Sequence, residues 1–268
     1  MKQRVACVQM TSTDDVKANL QAAKKLIAEA VRDEARLVVL PEMFAIMGMD
    51  QEKIHARVDW NLIEDFLHDE ALRHGIWLVG GTIPVPLTAD KDRVNAACLV
   101  FDDKGELAAR YDKIHLFDVS IPGKKEAYSE SKTIAAGEKV VVVNTPFGKL
   151  GLAVCYDLRF PEFFRKMQEE CVEVIALPAA FTFTTGSAHW DVLVRARAIE
   201  NLCYVVAACQ TGTHHNGRRT FGHSMIVSPW GEVEGMLPEV VGVVVADLDL
   251  EYLRKVRSDF PVLGHRRF

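Results

Sequence analysis

The sequence predicts an α/β protein whose sheets are mixed rather than wholly parallel, with helices covering the sheet faces. Three observations lead there. Helical and strand patterns alternate from one end of the 268 residues to the other. Several neighbouring strand patterns are joined by turns of hairpin type, which mixes the sheets. No internal repeat, low-complexity stretch or linker divides the chain, so one domain over residues 1–268 is expected. The composition, 49% hydrophobic and 26% charged, is that of an ordinary globular chain. A chain of this length buries roughly three quarters of its unfolded surface and has no need of disulfides. The net charge of −5 gives no reason to expect a nucleic-acid or anionic-membrane partner. The six cysteines (Cys7, Cys98, Cys155, Cys171, Cys203, Cys209) include no CxxC pair, and most lie in apolar runs. That is reduced, intracellular usage. No run has the length of a signal peptide or a membrane span, so a cytoplasmic protein is expected.

The elements follow in order. Arg4 to Met10 alternates and reads as a strand. Ser12, Thr13 and Asp14 offer caps for a helix over Val16 to Val31, with Leu20, Ala23, Ile27 and Val31 at helical spacing. Leu37 to Leu40 is a buried strand that runs into Pro41 and Glu42. A second amphipathic helix covers Trp60 to His74 and is closed by Gly75. Ile76 to Ile83 reads as one strand stopped by Pro84, and Asn95–Phe101 and Leu107–Tyr111 as a hairpin around Asp103-Lys104-Gly105. Lys113 to Gly137 reads as mostly irregular, and loops of that length are usually functional or disordered. Val140–Asn144 and Leu150–Val154 pair around Pro146-Phe147-Gly148. Helices over Pro161–Cys171 and Ser187–Leu202 alternate with strands Val174–Leu177 and Tyr204–Ala208. Strands His223–Ser228 and Val241–Leu248 flank the turn Pro229-Trp230-Gly231, and Leu248–Arg257 ends the regular structure.

Three chemically distinctive residues stand where strands stop: Glu42, Lys113 and Cys155. Strand ends are where α/β sheets present ligands. Each has a plain alternative. Glu42 could be a helix-start carboxylate, Lys113 a solvated cation, and Cys155 a small buried apolar residue. Together they form a complete set for acyl transfer. A thiolate attacks a carbonyl carbon, a nearby ammonium steadies the oxyanion, and a carboxylate takes and returns the proton. Cys155 would sit at a sharp strand-to-helix junction, since Pro161 suits a first helical turn.

The segments LPEMF around Glu42, RYDKIHLFDV around Lys113 and GLAVCYDLRFPE around Cys155 resemble the nitrilase, or carbon–nitrogen hydrolase, superfamily, and the likeness extends over essentially the whole chain. Within it, GSAHWDVLVRARAIENLCYVVAACQTGTHH, FGHSMIVSPWGEV and FPVLGHRRF resemble the deaminated glutathione amidase branch, with ω-amidases nearby. The resemblance implies a four-layer αββα sandwich with two mixed sheets, no metal and no organic cofactor. It implies Glu42 as general base and acid, Lys113 as oxyanion stabiliser and Cys155 as nucleophile. The segment YSESKTI matches one that carries a second glutamate, which gives Glu130 the task of orienting Lys113 or the attacking water. One extra residue lies between Pro122-Gly123-Lys124 and that segment, which leaves Glu126 as the less favoured substitute. The backbone N–H of Tyr156 is the expected second oxyanion donor. An arginine at the position of Arg159 serves relatives on a substrate carboxylate; the alternative here is a structural ion pair. Phe181 and Thr185 match pocket-lining positions, while Phe183 could be core. Relatives pair as homodimers, so Pro161–Cys171, Ser187–Leu202 and the tail are expected at such an interface, although core packing also explains the apolar stripes.

Other constellations compete. His115, two residues from Lys113, could make a Cys–His dyad of peptidase type, but no papain-like surroundings exist. His214, His215 and His223 lack the spacing of a structural zinc site. The loop His214 to Thr220, with Arg218 and Arg219, either borders the pocket and meets an anionic peptide end or is a plain Asn216-Gly217 turn. Arg197 and Glu200 are spaced to pair with each other. The expected function is an amidase that cleaves a small carboxylate-bearing amide through a cysteine thioester, with deaminated glutathione first among the substrates. ω-Amides, N-carbamoyl compounds and nitriles are the alternatives, and a binding or assembly module on the same scaffold is the non-enzymatic one.

Overall fold

The computed structural model describes residues 2–48, 58–123 and 126–267. Lys124 of the Pro-Gly-Lys landmark and Phe268 of the tail lie outside them. The first half runs β1 (Lys2–Gln9), α1 (Val16–Arg32), β2 (Leu37–Val39), α2 (Trp60–His74), β3 (Trp77–Val79), β4 (Ile83–Pro86), β5 (Val94–Phe101), β6 (Leu107–Asp112), β7 (Asp118–Ser120) and β8 (Ala127–Ser129). The second half runs β9 (Val142–Thr145), β10 (Gly148–Leu152), α3 (Pro161–Glu169), β11 (Val174–Ala179), α4 (Phe183–Asn201), β12 (Tyr204–Cys209), β13 (Thr211–Thr213), β14 (Arg219–Phe221), β15 (Met225–Val227), β16 (Val233–Met236), β17 (Gly242–Asp249) and α5 (Leu250–Asp259).

Two large mixed sheets result. One has the order β17-β1-β2-β3-β5-β4, with β6 added to β5; the other is β16-β15-β12-β11-β10-β9. Each has a parallel centre, β1-β2-β3 in one and β10-β11-β12 in the other, flanked by antiparallel strands. The period-2 pattern of the first sheet explains the layering. Val5, Cys7, Leu37, Val39, Cys98 and Val100 point into a core shared with the second sheet and with Phe164, Met167, Trp190 and Val194 of α3 and α4. Ala6, Val8, Val38, Leu40, Ala97 and Leu99 point the other way, against Ala23, Ile27, Ile63 and Leu67 of α1 and α2. The protein is therefore a four-layer α–β–β–α sandwich. Buried polar side chains stitch the two halves. Gln210 donates to Ser12 Oγ and to the Glu42 carbonyl, and its own oxygen accepts from the Ser12 N–H.

Helix ends follow local chemistry. Asp15 caps α1 by accepting from the Ala18 N–H, and Gly75 closes α2 at φ 59°. α4 begins at Phe183 rather than Ser187, because Thr182 accepts from the Thr185 N–H and so caps the helix one turn earlier. α3 ends at Glu169, short of Cys171, which lies at φ 59°. The single strand expected over Ile76–Ile83 is two strands. Gly81 stands between them at φ 56°, where a Cβ would lie 2.1 Å from the Pro41 carbonyl oxygen. β3 and β4 then pair with successive stretches of β5. Pro84 sits inside β4, whose other flank carries no strand among the described residues. The stretch read as irregular holds the small β7–β8 hairpin and a 3₁₀ turn at Glu130–Lys132.

The buried thiols make an alkaline-stability prediction. Burial pushes Cys203 and Cys209 up to about 12 and raises Cys7 and Cys98 as well. Unfolded thiols ionise from about 8.5, so above that pH the folded state holds more protons than the unfolded one. This contribution to stability is complete below about pH 8.5 and is lost as the pH rises towards the folded values. Thermal melts should show Tm falling steadily from about pH 8.5 upward. A flat Tm across that range would count against ionisable buried thiols.

Candidate active site

Glu42 follows β2, Lys113 follows β6, and Cys155 follows β10 after two residues. Their strands belong to different sheets, and the ends converge on one cavity of about 660 Å³. Glu42, Lys113, Glu130, Cys155, Tyr156, Arg159, Phe181 and Thr185 all line it. Cys155 does not end its strand. It opens a 3₁₀ turn, Cys155–Arg159, at φ 45°, a left-handed conformation that costs a side chain energy and is typical of strained functional elbows.

Lys113 is 1% exposed and has carboxylates on two sides. Its Nζ donates to Glu42 Oε1 at 2.8 Å and to both oxygens of Glu130 at 2.9 Å. Burial alone would lower its pKa, but Glu130 and Glu42, with the nearby thiol, outweigh burial and raise it. The lysine is a fixed cation. The second Glu42 oxygen accepts from the Ala180 N–H at 2.8 Å. Glu130 also accepts from the Phe117 N–H at 2.7 Å, which fixes its carboxylate. Glu126 is elsewhere, at the cavity wall, accepting from Thr184 Oγ1 and the Tyr128 hydroxyl.

Cys155 titrates well above an ordinary thiol. Burial is the largest cause and the Glu42 charge adds to it, while Lys113 and the Ala180 N–H pull the other way. Cys155 is at rest a neutral thiol beside a carboxylate rather than a thiolate–ammonium pair.

Asp157 carries no direct chemistry, and the sequence reading passed over it. It is fully buried and joins the nucleophile turn to the lysine segment. Its Oδ2 accepts from the Tyr111 hydroxyl at 2.7 Å and the Val154 N–H at 2.8 Å. Its Oδ1 accepts from the His115 N–H at 3.2 Å and faces His115 Nδ1 at 2.7 Å. Tyr111 and His115 bracket Lys113, so one carboxylate sets the spacing of lysine and cysteine. The signal available in the sequence was the acid in Cys-Tyr-Asp, two residues after the nucleophile. His115, the rival partner for Cys155, instead faces Asp157 and stacks on Phe160 with centroids 3.8 Å apart.

The Arg159 guanidinium sits 5.1 Å from the Phe181 ring and 5.9 Å from that of Tyr156, with His189 Nδ1 at 3.2 Å. Among the described residues no carboxylate pairs with it. Thr185 lines the cavity, but its hydroxyl meets that of Thr182 at 2.8 Å, so much of its work is capping. Arg197 pairs with Glu200 at 2.7 Å and donates to the Leu158 carbonyl. His214, His215 and His223 face separate partners. His214 bridges the Ser12 carbonyl and Thr220, His215 meets Asp14, and His223 faces the Phe221 carbonyl.

Comparison with known proteins gives the family. The carbon–nitrogen hydrolase family profile matches residues 4–258. A deaminated glutathione amidase of Synechocystis sp. is 42% identical over 266 residues, covering 98% of this chain and 97% of that protein. The human deaminated glutathione amidase is 41% identical, over 98% of this chain and 82% of that protein. The crystal structure of the Caenorhabditis elegans NitFhit protein superposes with a TM-score of 0.92 at 41% identity, over 99% of this chain and 65% of that one. An amidase of Nesterenkonia sp. AN1, with acrylamide added to its active-site cysteine, gives a TM-score of 0.81 at 27% identity, over 97% of this chain and 98% of that one. The chain belongs to the carbon–nitrogen hydrolase family and is a hydrolase of carbon–nitrogen bonds other than peptide bonds.

Two outcomes test the site. Alkylation of Cys155 by iodoacetamide, followed by peptide mapping, should keep accelerating with pH beyond 9.0, the ordinary thiol value that this site exceeds. A plateau near neutrality would mean a thiolate at rest. Asp157→Ala strands several buried donors and should cost at least about 1–3 kcal/mol in a denaturant melt. An unchanged midpoint would remove Asp157 as the link.

Proposed function

We propose that this protein hydrolyses the amide bond of deaminated glutathione, yielding α-ketoglutarate and cysteinylglycine through a thioester on Cys155. The observation that carries the mechanism is the buried Glu42–Lys113–Glu130 cluster beside a neutral thiol. Glu42 takes the Cys155 proton as sulfur attacks the amide carbon. The C–S bond forms and the carbonyl electrons move to oxygen, where Lys113 Nζ and the Tyr156 N–H receive the charge. Collapse breaks the C–N bond, and Glu42 returns the proton to the departing amine. Glu42 next deprotonates a water, held with the help of Glu130, that attacks the thioester and frees the acid and the thiol. Arg159 clamps the carboxylate beside the keto group.

The substrate assignment rests on the names of the relatives and on room. The cavity, about 660 Å³, is larger than a five-carbon keto-acid amide of about ten non-hydrogen atoms needs, and its size is in the range of sites for larger ligands such as deaminated glutathione, with about twenty. No described helix is long and apolar enough to cross a membrane. Six free cysteines suit a reducing cytoplasm. Val192 and Ile199, 65% and 45% exposed on α4, suit a homodimer through that helix.

Steady-state kinetics on deaminated glutathione, α-ketoglutaramate and a simple nitrile test the reading. The highest kcat/KM is expected for deaminated glutathione, and a preference for either of the others overturns the substrate. Cys155→Ala should abolish turnover. Lys113→Ala should cost at least roughly 10²- to 10³-fold, the effect of losing one oxyanion donor; a folded Lys113→Ala protein with wild-type rate would remove Lys113 from the mechanism.

A further inference from the structure

The cavity contains a second arginine that no carboxylate among the described residues pairs with. Arg218 lies in the turn between β13 and β14 and lines the same cavity as Arg159, which comes from the nucleophile turn. We infer that Arg218 is the anchor for a second carboxylate, at the far end of a substrate that is acidic at both ends. The inference rests on the substrate proposed above and goes further, in assigning a distal anion subsite.

Four observations carry it. First, the guanidinium is held but not consumed. Its Nη2 donates to the Ala180 carbonyl at 2.6 Å, and its plane lies 5.2 Å from the centroid of Tyr128. That uses one of five donors. Its Nε is buried without a hydrogen-bond partner. Among the described residues no carboxylate pairs with it. Second, its neighbour shows the contrast. Arg219 is already paired with Glu239 at 2.7 Å and lies 3.6 Å from the Phe183 centroid. Glu126, an acid of the same cavity, is bound by Thr184 and Tyr128 instead. Third, the turn is tied down. The Arg218 N–H donates to Asn216 Oδ1, the His214 N–H donates to the Arg218 carbonyl, and buried His214 is fixed between the Ser12 carbonyl and Thr220. An anchor positioned in advance loses little freedom on binding. Fourth, Arg218 is linked to Glu42 through one residue, Ala180. The Ala180 carbonyl accepts from Arg218 while the Ala180 N–H donates to Glu42. A carboxylate clamped here fixes the leaving-group end of the substrate against the wall that holds the base.

The test compares deaminated glutathione with the analogue whose terminal glycine carboxylate is a carboxamide. In the wild type, amidation should lower kcat/KM by about 10- to 100-fold, mainly through KM, the range for a charged hydrogen-bonded pair. In Arg218→Gln the two substrates should become equivalent. A wild type indifferent to amidation, or an Arg218→Gln protein that keeps the wild-type preference, overturns the subsite. A purely structural Arg218 would slow both substrates in parallel and leave the ratio intact. Should Arg218→Gln not fold, the Cys155→Ala protein serves. Phenylglyoxal modification of Arg218, mapped by mass spectrometry, should be blocked by deaminated glutathione and not by α-ketoglutaramate; equal protection or none overturns the proposal. A wild type that hydrolyses α-ketoglutaramate but neither longer amide overturns the substrate assignment itself, and the subsite with it.

Discussion

A lysine ammonium held out of water between two carboxylates constrains everything around it. Taking charges out of water is costly, and such a group persists only when its partners are close and themselves fixed. Here they are. Glu42 is tied by the Ala180 N–H, Glu130 by the Phe117 N–H, and Lys113 by three short contacts. Removing Lys113 would leave two buried carboxylates without their cation, and an uncompensated buried charge typically costs about 3–5 kcal/mol. The same surroundings set the state of Cys155. Burial raises its thiol most and the Glu42 charge adds to that, together outweighing Lys113, so the thiol keeps its proton. In the proposed mechanism that proton passes to Glu42 as sulfur attacks.

The sandwich exists in the form needed to bring these groups together. Glu42 and Lys113 hang from the first sheet, Cys155 and Ala180 from the second. Their meeting therefore depends on how the two sheets face each other, and buried polar ties fix that relation. Gln210 spans to Ser12 and Glu42, and Asp157 spans from the nucleophile turn to Tyr111 and His115. An apolar core alone gives the layers affinity but little lateral register; directional hydrogen bonds supply it.

How much of this the sequence carries depends on the range of the interaction. Long helices with caps, such as Trp60–His74 closed by Gly75, were legible to the residue, because their signals are local. The strand over Ile76–Ile83 was misread because Gly81 answers to the distant Pro41 carbonyl, not to its neighbours. Short strands such as Arg219–Phe221 were missed because three residues carry no periodicity. For the site, Glu42, Lys113, Glu130 and Cys155 could be named from motif and strand-end position, and the structure brings all four to one cavity. Asp157 could not, and Arg218 only as part of a loop that either borders the pocket and meets an anionic peptide end or is a plain turn. Their importance lies in partners 42 and 38 residues away, and nothing in Cys-Tyr-Asp or Asn-Gly-Arg reveals those partners.

The cavity extends the same logic from catalysis to selection. Glu42, Lys113 and Cys155 line it, and Arg159 and Arg218 enter it from separate turns as cations that no carboxylate among the described residues pairs with. The account stands or falls on a covalent bond to Cys155. Acid-quenched samples taken from the first milliseconds into steady-state turnover of deaminated glutathione, digested and mapped by mass spectrometry, measure it directly. The account predicts an α-ketoglutaryl group on Cys155 and on no other residue, gone once substrate is exhausted. Turnover with the Cys155 peptide unmodified at every quench time, or an acyl group on a different residue, would contradict it.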